Sequence, residues 1–421
     1  MTSSFRRNAI VLGLLAAVGP FAIDMYLPAF PAIAADLGTD IGRVQLSLTS
    51  YFAAVAMFQM IYGPVSDRVG RKAPIYVGLS LYILGAIGCA MADGVGGLIG
   101  FRFLQGVGGC AAIVCTRAIV RDLHTGAEAA RLMATIMLVF SISPMLAPLA
   151  GSALADGGQW RVIFWIIAGI GGLAVGLTAF FLPETRPPEK RNPGPVSKIA
   201  ADYWRLLRDG RFLGFVFIGA LAQATFFSYL GGSSAVFQER YELSATEYGV
   251  LFAFNAAAFI GGAQANSRLI RLFGAGRLVM AMVSVLLVLT GTLLLLLATG
   301  VATGLAVIIP FLWVSFGCLG SIMPTTAVMA LDPHGPVAGT ASALMGTLQL
   351  AFGAISIAVV GLIFDGTAVP MVAAMALTAA GAFALSLLTL APELRRGVVL
   401  QNPPPSPEET FAEMASGVSE V

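Results

Sequence analysis

The chain has 421 residues, 57% of them hydrophobic and only 11% charged, with a formal net charge of +2 and a mean hydropathy of +0.87. A soluble domain carries roughly 25% charged residues, so the composition excludes a soluble globular chain and points to one dissolved in lipid. The near-neutral total says little; the placement of the charges says more.

A hydrocarbon core about 30 Å thick needs roughly 20 mainly apolar residues per helix. Twelve such runs follow one another, at 9–28, 45–66, 73–92, 95–116, 131–154, 161–182, 212–234, 247–267, 276–298, 303–329, 338–362 and 368–391. Lipid forces backbone polar groups to pair within a segment, so each run is expected to be a helix. Run one follows Arg6 and Arg7 as a signal peptide would, but it is longer than a signal core, lacks a clean cleavage site and contains Asp24; it is read as a retained span. Counting alternate loops puts 20 Lys and Arg on one side and only Arg43, Arg161 and Arg240 on the other, with Arg102 left inside span four. The inside-positive rule then places both termini in the cytoplasm.

Taken in chain order, the polar residues that interrupt these spans are the candidate machinery. Asp24 is the one carboxylate well inside a span, and burying it unpaired costs enough that pairing or neutralisation is expected; it is a candidate proton-coupling group. After span two comes Gly63-Pro-Val-Ser-Asp67-Arg68-Val-Gly70-Arg71-Lys72. There Gly63 is expected to allow close helix approach, Asp67 and Arg68 to pair across helices as a latch, and Arg71 and Lys72 to sit near anionic headgroups. In span four, Arg102 is a permanent charge in apolar surroundings, which needs a cavity or a partner, and Gln105 lies one turn on. Arg117 and Arg121 share a helix face at the cytoplasmic mouth. In span five, Pro144 and Pro148 remove backbone donors and Gly151 adds close packing.

The Pro- and charge-rich stretch 183–211, including Glu184, Arg186, Pro193 and Pro195, reads as a cytoplasmic linker containing a short amphipathic helix around Val196–Leu207. It divides 1–182 from 212–391, six spans on each side. The tail 392–421, with Pro403, Pro404, Pro405 and Pro407, is expected to be disordered. A shift of 200 residues sets Arg268 and Arg271 opposite Arg68 and Arg71, a degraded echo of two related halves with a cavity between them. Polar and aromatic candidates for lining that cavity are Tyr26, Tyr51, Gln59, Gln105, Gln223, Phe226, Asn255 and Gln349.

Several motifs are similar to those of a known family. The loop from Gly63 to Lys72 resembles the signature loop of the major facilitator superfamily. Ile23-Asp24-Met-Tyr26-Leu-Pro28-Ala-Phe-Pro31 and Arg117-Ala-Ile-Val-Arg121-Asp122 resemble its Bcr/CflA group of bicyclomycin-type drug-resistance exporters. Arg102-Phe-Leu-Gln105-Gly106 is similar to the fourth-span motif and Ser143-Pro144-Met-Leu-Ala147-Pro148-Leu-Ala-Gly151 to the antiporter motif, with Ala147 and Ser152 departing from the general glycine pattern. The resemblance implies an all-α polytopic membrane protein of twelve transmembrane helices in two six-helix bundles. It also implies a proton-coupled antiporter exporting small amphipathic drugs or metabolites across the bacterial inner membrane. In that reading Asp24 and Arg102 couple proton entry to cargo exit. A proton-coupled amino-acid or dipeptide exporter, or a symporter, is the other reading.

No cofactor is expected beyond the proton gradient. The chain has no Walker loop to bind ATP and no Ser–His–carboxylate grouping, so it is not read as an enzyme. Cys89, Cys110, Cys115 and Cys318 lack ligand spacing and His124 and His334 are isolated, so no metal site is expected. The expected partners are a small-molecule cargo, protons and the bilayer, for a monomer that binds no nucleic acid.

Overall fold

The computed structural model describes residues 3–391 apart from 125, 156, 192–195 and 302. The tail 392–421 and the linker prolines Pro193 and Pro195 lie outside the described residues. Fourteen α-helices account for most of the described chain: α1 (Ser3–Asp24), α2 (Phe30–Asp36), α3 (Ile41–Val69), α4 (Lys72–Ala90), α5 (Val95–Leu123), α6 (Gly126–Ala155), α7 (Trp160–Phe181), α8 (Val196–Leu207), α9 (Gly210–Ser234), α10 (Ala245–Phe273), α11 (Ala275–Ala298), α12 (Leu305–Leu331), α13 (Ala338–Leu362) and α14 (Val369–Thr389). Eleven helical segments among the described residues are long and apolar enough to cross a membrane, against the twelve runs expected. The remaining expected run, 131–154, falls in α6, a 30-residue helix whose described apolar stretch is Ile142–Ala155.

Local chemistry sets the helix ends. Asp40 caps α3 by accepting from the Arg43 N–H at 2.8 Å, and Ser244 and Glu247 form a reciprocal capping box on α10. Both α3 and α10 run for 29 residues and stop at a glycine with positive φ, Gly70 (+99°) and Gly274 (+78°). This corrects the register of the internal echo. The two helix-ending glycines are 204 residues apart, so Arg68 falls opposite Leu272 and Arg71 opposite Ala275.

The first apolar run is also not one straight helix. It continues to Asp36 but breaks after Asp24, passing through a turn at Met25–Tyr26 and a 3₁₀ turn at Leu27–Ala29 before α2. Pro28 supplies no N–H, which suits this break. In the second half, α9 likewise passes into a π-helical stretch, Ala235–Arg240, at the end of the corresponding span. Discontinuities of this kind free backbone groups inside the membrane and are tolerated where protein or a cavity surrounds them.

Helices α3 and α5 pack along each other, as do α4 and α5, and glycines make this possible. A Cβ at Gly106 would collide with the Tyr51 carbonyl oxygen, and one at Gly108 with the Gly78 carbonyl oxygen. The two halves of the chain meet through α3 against α13 and α6 against α10. At the end carrying Asp24 they share a single apolar core: Tyr26 and Phe30 belong to the same cluster as Phe237, Tyr248 and Phe252. At the opposite end, called here the basic end, the second half packs a separate core around Phe212, Leu319 and Leu344, and a cavity opens between the halves.

Candidate functional site

The basic end holds a network centred on Arg71. Arg71 is only 3% exposed, which corrects the expected position near headgroups. Arg71 Nη1 meets Asp67 at 2.9 Å and donates to Ser66 Oγ at 2.7 Å. Its Nε and Nη2 reach the two Asp122 oxygens at 2.7 and 3.3 Å, a bidentate pair. Asp67, expected to form a latch with Arg68, pairs with Arg71 and with Arg186 at 3.2 Å, and Arg68 is exposed. Glu184 closes the network by accepting the backbone N–H groups of Arg71 (2.9 Å), Arg186 (2.9 Å) and Lys72 (3.1 Å). Partial burial opposes its ionisation, but these bonds and nearby Arg191 outweigh that and hold Glu184 below the usual carboxylate range. Gly70 is required here, because a Cβ would lie 2.8 Å from Glu184 Oε2 and its φ is +99°.

Gly63 does not serve close approach: a Cβ there would meet nothing within 4 Å. It lines instead a cavity of about 410 Å³ together with Gln59, Arg117, Arg121, Tyr203 and Ser342. Gln59 crosses between the halves, donating from Nε2 to the Ala343 carbonyl at 3.3 Å, and Thr347 donates back to the Ala56 carbonyl at 3.2 Å.

Towards the other end the polar residues are deeply buried. Arg102 is fully enclosed, and its guanidinium lies over the rings of Tyr26 and Tyr51, 4.4 and 4.5 Å from their centroids. Nη1 donates to Gln105 Oε1, while Nε and Nη2 find no acceptor. Tyr26 is held in place because Ser47 gives its own proton to the Val44 carbonyl at 2.6 Å, leaving Ser47 Oγ to accept from Tyr26 at 3.3 Å. Asp24, 5% exposed, ends α1 at the helix break. Among the described residues it has no ion-pair partner, so it does not pair directly with Arg102; Tyr51 lies within electrostatic reach of both.

The other expected cavity residues do not line this cavity. Tyr26, Tyr51 and Gln105 surround Arg102. Phe226 sits among the rings of Phe227, Phe259 and Phe316, and Asn255 is buried, donating to Tyr229 Oη at 3.0 Å. Gln223 and Gln349 are partly buried; Gln349 Nε2 lies 3.0 Å from where a Gly219 Cβ would stand. Pro144 and Pro148 fall inside α6. Gly151 fits against the broken first span, since a Cβ there would run into the Met25 carbonyl oxygen.

Three network members, Asp122, Glu184 and Arg186, were not picked out from sequence as site residues. Asp122 follows Arg121 in a quoted motif, but nothing local to it shows that its partner lies 51 residues earlier.

The helix order, the inter-half cavity and the charged network define a polytopic membrane transporter. The chain belongs to the major facilitator superfamily, whose model matches residues 12–357, and it is therefore a small-molecule transporter and not an enzyme. It is 36% identical over 375 residues to an uncharacterised MFS-type transporter, YdgK, of Bacillus subtilis (strain 168), covering 88% of this chain and 92% of that one. It is 32% identical over 372 residues to a bicyclomycin resistance protein homolog of Haemophilus influenzae, covering 87% and 92%. The fold matches the crystal structure of the nucleoside transporter NupG with a TM-score of 0.69 at 12% identity, over 93% of this chain and 99% of that one.

Proposed function

We propose that the chain is a proton-coupled antiporter that exports small amphipathic drugs or metabolites across a bacterial inner membrane by alternating access. In this reading twelve spans form two six-helix bundles, 1–182 and 212–391, joined by the cytoplasmic linker 183–211. The tail 392–421 and the N-terminus then lie in the cytoplasm, and the protein works as a monomer. The basic end faces the cytoplasm under the inside-positive rule, so the described conformation is open inward and closed outward.

The observation that carries the proposal is the pair of buried, separated ionisable groups. Asp24, at the helix break, has no ion-pair partner among the described residues, and Arg102 keeps two donors without acceptors and rests on tyrosine rings. A carboxylate so placed is costly to keep charged. Proton loading at Asp24 while the outer end is open, and its release while the inner end is open, would let Arg102 change partners and link inward proton flux to outward cargo flux. The relative named for bicyclomycin resistance supports a drug as cargo.

The test is flux in proteoliposomes under an imposed pH gradient. Proton-driven export requires cargo and proton to move in opposite directions, whereas a symporter moves both the same way. D24N is expected to bind cargo and lose gradient-driven accumulation, and R102A to lose coupling. Full coupled flux in D24N would remove Asp24 from the carrier role.

A further inference from the structure

We infer that the basic-end cavity is a binding site for an anionic amphipathic molecule, held through Arg117 and Arg121. The inference rests on the export reading only in taking the bound molecule as cargo. These two residues occupy successive turns of one face of α5 and both line the cavity of about 410 Å³. Like charges at i and i+4 disfavour a helix unless something neutralises them. Among the described residues neither forms an ion pair with an acidic side chain.

The remaining charges in the lining do not supply that neutralisation. Asp67 is held by Arg71 and Arg186, and Arg71 is in turn engaged by Asp122. Arg117 is accessible although its neighbours Thr116 and Ala118 are buried, because it faces the cavity. Arg121 reaches the other half of the chain: its Nη1 lies 3.7 Å from where a Gly339 Cβ would stand. The facing wall offers the hydroxyls of Thr340 and Ser342 rather than carboxylates, and these can donate to an anion. Between these polar groups lie Val114, Met133 and Leu331, an apolar lining suited to a hydrocarbon or aromatic body. Two guanidinium forks beside an apolar chamber fit a carboxylate, sulfonate or phosphate on such a body.

The test is equilibrium binding to the purified full-length chain in neutral detergent, using three probes with one ring system: 1-naphthaleneacetate, 1-naphthaleneacetamide and 1-naphthylethylamine. The expected order is anion over amide over amine, with at least a tenfold ratio between the first and last. The R117Q/R121Q variant should lose that ratio, R117K/R121K should keep much of it, and R268Q/R271Q, an equal loss of charge on exposed turns of α10, should leave it unchanged. An unchanged ratio in folded R117Q/R121Q, or tighter binding of the amine to the parent, would overturn the site. A parallel arm adds dioctanoylphosphatidylglycerol. If this lipid displaces naphthaleneacetate and binds with the same dependence on both arginines, the site is upheld and its anion assigned to a headgroup; if it does not, the anion belongs to a soluble cargo. No gradient is applied, so loss of proton coupling would leave this result intact.

Discussion

At the scale of single residues, Arg71 illustrates how far burial and pairing separate neighbours in one motif. Its guanidinium is enclosed and engages Asp67, Asp122 and Ser66, so removing it takes the bidentate partner from the mostly buried Asp122 and leaves Asp67 paired with Arg186. R71A is expected to lower stability by about 3–5 kcal/mol, read as a fall in the thermal midpoint of the detergent-solubilised protein. Glu184 yields a pH prediction with a definite sign. Its folded value lies below its ordinary 4.5, so its contribution is complete above that value and is lost as pH falls through the folded one. The stability gap between the parent and E184Q should therefore hold steady at pH values well above 4.5 and close only as pH falls below 4.5 through the lowered folded value. A gap that widened on acidification would contradict the assignment. Two acidic partners of Arg71, Asp122 and Glu184, were not legible in the sequence, because they come from the end of α5 and from just after α7 and only the fold brings them to the loop. The motif glycines were legible as a class but not by role: Gly70 serves a positive φ, whereas Gly63 lines open space.

At the scale of elements, apolar length revealed most helices, since a span must match the hydrocarbon thickness whatever its packing. What length could not show is where a span breaks. The interruption after Asp24 is signalled only by Pro28, and its accommodation by Gly151 depends on α6 lying alongside. G151A is expected to push against the Met25 carbonyl and cost about 1–3 kcal/mol through overpacking, with transport falling further than stability if the break must move. The cap on α9 is a second element-level case. Asp209 accepts the N–H groups of Arg211 and Phe212 at 2.9 and 3.0 Å and meets His334 Nε2 at 3.1 Å. D209A should cost about 1 kcal/mol or somewhat more, and D209N less, as measured by thermal unfolding. The helix Val196–Leu207 follows its amphipathic pattern, and its Tyr203 lines the cavity while Trp204 is 57% exposed and stacked by Arg208.

At the scale of the whole molecule, the two ends are asymmetric. One end buries residues of both halves in a common core, and the other keeps the halves apart around a cavity lined by arginines. Sequence distinguished the ends by charge, because insertion leaves Lys and Arg on one side. It could not say which end is closed, since closure depends on how α6 meets α10. That contact offers a direct test. A Cβ at Gly249 would stand 3.3 Å from Ser152 Cβ, close to the separation a disulfide needs. Oxidised S152C/G249C in proteoliposomes is predicted to bind cargo but to lose transport, with recovery on reduction, because the closed end can no longer part. Transport at the parent rate while the disulfide is intact would contradict alternating access through this contact.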